Sequence, residues 1–151
     1  IASTVVSGYW LTFTAGRLLA VLISMRLSPG TLVGGAMLLA LLATIAATVD
    51  PVAPVAYLVA GLAMGPVFPG GLSWLRRRYP ERAGEVASVI IAAGGIGGMI
   101  IPPMIGYIVE ARGIPAIAVT LAVLLAGAAL LAGIIGLAGR SAGASAETVY
   151  R

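Results

Sequence analysis

Of the 151 residues, 60% are hydrophobic and 9% are charged, with a mean hydropathy of +1.10. No water-soluble domain hides that balance inside one core, so the chain is expected to lie in a lipid bilayer. The net charge of +4 comes from arginine alone, yet outside one central loop the basic residues stand singly at the ends of apolar runs, which is membrane topology and not a nucleic-acid-binding face. Cysteine and histidine are both absent, which removes thiol chemistry, imidazole acid–base catalysis and the usual zinc ligands, so neither a metal nor a cofactor is expected.

Cutting the chain at charges and at proline or glycine turns leaves five runs, near 3–25, 31–49, 52–75, 85–109 and 114–138. Each is long enough to cross roughly 30 Å of hydrocarbon, which takes about 20 helical residues. The expected fold is therefore all-α, a five-helix transmembrane bundle over residues 1–138. The small, polar stretch 139–151 is expected to be a disordered tail. Ile1 is not expected to be the natural start, since neither an initiator methionine nor a leader pattern opens the chain.

Within the first run, Trp10, Thr14, Arg17 and Ser24 share one helical face. Arg17 lies nine residues before Arg26, or about 13 Å along a helix, which puts a charge near the midplane. Insertion there costs roughly 2.5–3.5 kcal/mol, so the side chain should face protein or water and not lipid. Asp50, Glu81, Glu85 and Glu110 all fall in joints or at span ends, and none is a mid-membrane partner. Two readings stand: an arginine that snorkels or bonds a backbone carbonyl, and one that binds solute or an acid on another helix.

The second run, like the fifth, is almost uniformly apolar and reads as an outer, lipid-facing support. In the third, Pro66 and Pro69 interrupt a helical pattern, so the helix should kink or loosen between Gly65 and Gly71. Tyr57, Gly61, Met64 and Phe68 share a face that suits either close helix packing through Gly61-xxx-Gly65 or a wall against solute. Leu75 to Glu85 then reads as a polar joint carrying Arg76, Arg77, Arg78 and Arg82. Gly94-xxx-Gly98 and the pair Pro102 and Pro103 make the fourth run either a gating hinge or a densely packed helix with a fixed bend. Seven of the nine arginines fall on one side of the membrane in this topology, and the positive-inside tendency makes that side cytoplasmic, with the carboxy terminus inside and the cell membrane as the expected location.

Three stretches, YWLTFTAGR at Tyr9–Arg17, GPVFPGG with RRRYPERAG at Gly65–Gly84, and AAGGIGGMIIPPMIGYIVEARG at Ala92–Gly113, resemble the eighth to twelfth helices of major facilitator superfamily transporters, in an order like that of fucose-permease-like members. The chain departs from that family where its helix-end motif places Asp and Arg, because Ser24 and Met25 stand there, so a charged latch is not expected. The resemblance implies a partial major facilitator bundle within a secondary transporter of alternating access. Its first, third and fourth spans would line a cavity for a small-molecule substrate, and missing amino-terminal helices of the same transporter would complete it. Trp10, Thr14, Arg17, Tyr57 and Phe68 are then the cavity candidates, and Gly65, Pro66, Pro69, Gly94, Gly98, Pro102 and Pro103 the hinge candidates. A non-transporting membrane module that packs against partner helices is the alternative. An enzyme is not expected, since no carboxylate pair or nucleophile–base set falls at one depth.

Overall fold

The computed structural model describes the backbone of residues 2–149 and the side chains of residues 3–134. Six helices follow in order: α1 (Ala2–Ser24), α2 (Pro29–Ala46), α3 (Ala53–Met64), α4 (Val67–Arg78), α5 (Ala83–Arg112) and α6 (Ala116–Val149), with a 3₁₀ turn at Pro80–Arg82. Since α3 and α4 form one interrupted run, five segments are long and apolar enough to cross a membrane. The fold is all-α among the described residues, as the hydropathy pattern predicts.

Local chemistry sets the boundaries. Ser28 caps α2 by accepting the Thr31 amide at 3.2 Å, and Pro29 occupies the first turn, where a missing N–H is harmless. Gly113 ends α5 with φ of 82°, a left-handed conformation that glycine adopts freely. Arg76, Arg77 and Arg78, read from sequence as part of a joint, instead form the last turn of α4. Three cations there complement the helix dipole, and the true joint shrinks to Tyr79–Arg82. Backbone from Gly139 to Val149, expected as a disordered tail, continues α6. Alanines at 142, 144 and 146 favour that continuation, while the side chains of Arg140 and the other residues from 135 onward lie outside the described residues.

The interrupted third span breaks at Gly65–Pro66, and α4 is regular from Val67 through Pro69, Gly70 and Gly71. Pro69 sits in the first turn of α4, where a proline is tolerated. Pro66 is different, because it offers no N–H to the Leu62 carbonyl one turn back. That carbonyl lies against Gly16 of α1, where any side chain would collide with it. A Cβ on Gly61 would come within 2.6 Å of the Tyr9 carbonyl oxygen, and one on Gly65 would strike the Phe13 carbonyl. Gly61-xxx-Gly65 is thus a packing face, pressed directly on the backbone of α1.

Contrary to the reading of the second run as an outer support, α2 is the central helix. It touches α3, α4 and α6, and Leu32, Val33, Ala36, Met37, Ala40, Ala43 and Thr44 are buried along it. Thr44, 2% exposed, turns its hydroxyl onto the Ala40 carbonyl at 2.7 Å, so the polar atom is satisfied inside its own helix. α5 behaves in the opposite way. It leans on α4, α6 and the 3₁₀ turn, and none of its residues is buried. It also passes through Pro102 and Pro103 as a single helix, and Gly94 and Gly98 have no neighbour within 4 Å of where a side chain would start.

A leucine at Gly61 must displace the α1 backbone, so Gly61→Leu is expected to lower stability by about 2 kcal/mol or more. Gly127 faces open space, so Gly127→Leu should stay within about 0.5 kcal/mol of the parent. Thermal unfolding of both variants in the same detergent checks the difference.

Candidate functional site

α1 has two faces of opposite character. Gly8, Thr12 and Gly16 turn toward Leu58, Gly61 and Leu62 of α3, so this side is closed by backbone contact. On the far side Trp10, Thr14, Arg17 and Ser24 are all exposed. The close fit of the first face determines which residues remain on the second.

Three aromatic rings pack together along this helix. Tyr9 and Trp10 meet edge to face at 5.7 Å between centroids, Trp10 and Phe13 do the same at 5.5 Å, and Tyr9 and Phe13 stack at 6.2 Å. The Arg17 guanidinium carbon then lies 4.7 Å from the centroid of the Phe13 ring, within the range of a cation–π contact. Tyr9 and Phe13 belong to this cluster although sequence reasoning passed over them. The signal was available in the ladder Tyr9, Phe13, Arg17, whose four-residue spacing stacks side chains on adjacent turns.

The direction of Arg17 matters as much as its contact. Phe13 is one turn toward the amino end, so the guanidinium folds back along α1 and away from Ser24 and Arg26. It is turned away from the nearer helix end. Its backbone nitrogen sits 2.8 Å from where a Gly65 side chain would begin, which places Arg17 level with the break between α3 and α4. Thr14 donates its hydroxyl proton to the Trp10 carbonyl at 2.9 Å, leaving the oxygen's lone pairs free to accept. The face therefore offers flat aromatic surface, a fork of guanidinium donors and one hydroxyl acceptor.

The other two cavity candidates stand apart. Tyr57 is half-buried near the start of α3 and packs against the cluster of Ala47, Ala56 and Ala118. Phe68 lies beyond the break, on α4, and is 46% exposed. The candidate hinges also separate: Gly65 and Pro66 form the break itself, Pro69 lies within α4, and Gly94, Gly98, Pro102 and Pro103 lie within a continuous α5. Of the four central arginines, Arg77 and Arg78 border a cavity between α2, α4 and α6. Arg76 and Arg82 do not.

No protein-family model matches the chain, nor does any solved structure. Among curated proteins it is similar to the sodium-dependent glucose transporter 1 of Danio rerio, 29% identical over 104 residues, which cover 66% of this chain and 17% of that protein. The same length matches sodium-dependent glucose transporter 1A of Mus musculus at 29% identity, 24% of that protein, and sodium-dependent glucose transporter 1 of Xenopus laevis at 32% identity, 21% of that protein. The chain thus spans between 17 and 24% of the length of these relatives. It is an integral membrane protein with sequence similarity to part of known solute transporters.

Proposed function

We propose that this chain forms part of a secondary transporter that carries a small polar solute, of the size and chemistry of a hexose, by alternating access. The observation that carries the reading is the exposed strip on α1, where Arg17 lies against Phe13 at 4.7 Å beside Trp10 and Thr14. Aromatic planes suit the apolar flank of a sugar ring, and guanidinium donors with a hydroxyl acceptor suit its oxygens. The similarity to glucose transporters supports a sugar over an aromatic drug. The break at Gly65–Pro66 lies level with this strip and supplies a place for the lining helix to flex.

The same reading assigns the open glycines of α5 to further helices of a longer transporter, and the arginine-rich end of the bundle to the cytoplasm. Sodium or proton coupling would draw on groups outside this stretch, since the five spans carry no carboxylate at mid-depth.

Two measurements test it. In the native full-length protein, Arg17→Gln should lower uptake of labelled glucose at least tenfold with unchanged amounts in the membrane, and uptake at the parental rate would remove Arg17 from the solute path. The sequence has no cysteine, so a thiol introduced here is read without background from this stretch. Thr14→Cys should react with a charged, membrane-impermeant thiol reagent, whereas Thr44→Cys, 2% exposed in the parent, should not. A Thr14→Cys thiol that stays silent means the strip faces lipid, and the solute-wall reading fails.

A further inference from the structure

An open groove of about 730 Å³ lies between the start of α2, the end of α4 and the middle of α6. Its two ends differ in chemistry. Arg77, Arg78 and Trp74 of α4 stand with the hydroxyls of Ser28 and Thr31 at the end where α2 begins, while Met37, Leu38 and Leu41 of α2 form the other. Along α2 the groove runs from Ser28 to Leu41, thirteen residue steps, or about 20 Å. Half of a roughly 30 Å hydrocarbon layer is about 15 Å, so the groove is as deep as one leaflet with its headgroup layer.

Its floor is built to stay open. Gly34 on α2 and Gly133 on α6 both line it, and a side chain added at either would meet nothing within 4 Å. Trp74 marks the depth, with its indole nitrogen 3.1 Å from where a Gly30 side chain would start, since indoles favour the boundary between headgroups and hydrocarbon. Two guanidinia at the headgroup level above an apolar slot complement one kind of molecule, an amphiphile with an anionic head.

We infer that this groove is a binding site for one anionic phospholipid, its phosphate held by Arg77 and Arg78 and an acyl chain laid along α2 past Gly34. The site lies on the far side of α2 and α3 from the Arg17 strip and is independent of any transported solute. A lipid held there would tie α4 to α2 and α6, and α4 is the half-helix that follows the Gly65–Pro66 break. Occupancy therefore bears on how freely that half-helix moves.

Native mass spectrometry of the full-length protein in detergent tests this, with phosphatidylglycerol and phosphatidylcholine of identical acyl chains as probes. Phosphatidylglycerol should stay bound at a stoichiometry of one and phosphatidylcholine should not. Arg77→Gln with Arg78→Gln should weaken retention about 25-fold, at about fivefold for each arginine near the lipid surface. Arg76→Gln with Arg82→Gln removes the same charge from outside the groove and should leave binding unchanged. Gly34→Leu fills the slot without altering charge and should weaken binding about tenfold, the worth of two methylene contacts. Equal loss in the two arginine pairs would reduce the effect to diffuse electrostatics, displacement by millimolar inorganic phosphate would reduce it to an anion site without a chain, and full binding by Gly34→Leu would place the lipid elsewhere. Each of those results overturns the proposal.

Discussion

In hydrocarbon every backbone carbonyl needs company, and Pro66 deprives Leu62 of its own. At that point α1 comes so close that Gly16 lies against the Leu62 carbonyl while Gly61 and Gly65 sit on the Tyr9 and Phe13 carbonyls. Close approach at these points fixes how α1 is rotated about its own axis. Once Gly8, Thr12 and Gly16 are committed to α3, Trp10, Thr14 and Arg17 have only the opposite side left. The proline break and the polar strip thus meet at one helix contact.

The same logic governs the remaining packing. Between membrane helices, burial of apolar surface supplies little net drive, because lipid tails are as apolar as leucine. What counts is how near two backbones can come. The buried stripe of α2 accordingly runs through Ala36, Ala40, Ala43 and Ala47, facing Ala56, Ala60 and Ala63 of α3, while Leu38, Leu39, Leu42 and Ile45 point outward. Along that alanine stripe the helices meet through small side chains, and Leu32, Val33 and Met37 are buried nearer the start of α2.

Five spans were legible in the sequence from hydropathy and length. The centrality of α2 did not show, because lipid-facing and protein-facing sides are both apolar and leave no periodic contrast to read. Uniform hydrophobicity suggested an outer helix, but the alanine spacing carried the better signal. The break was expected somewhere in Gly65–Gly71, and only the structure shows that it falls at Pro66 while Pro69 is absorbed in the first turn of α4. In the candidate site, the polar residues on α1 were visible from their spacing. The rings of Tyr9 and Phe13 that organise them passed as ordinary apolar residues, since nothing in an isolated aromatic reveals that a cation rests on it.

The balance at Arg17 argues for something beyond this chain on the exposed face. Holding an arginine at that depth costs roughly 2.5–3.5 kcal/mol, and the contact with Phe13 offsets about 0.5–2 kcal/mol of it. Snorkelling would reduce the rest, but the helix end at Ser24 is seven residues away, about 10 Å, and the guanidinium points the other way. The acids at Asp50, Glu81, Glu85 and Glu110 sit at helix ends and in joints, far from mid-span. Under the proposed function, water, a polar solute or groups on another helix supply the remaining stabilisation, and the strip would then face a polar cavity and not lipid.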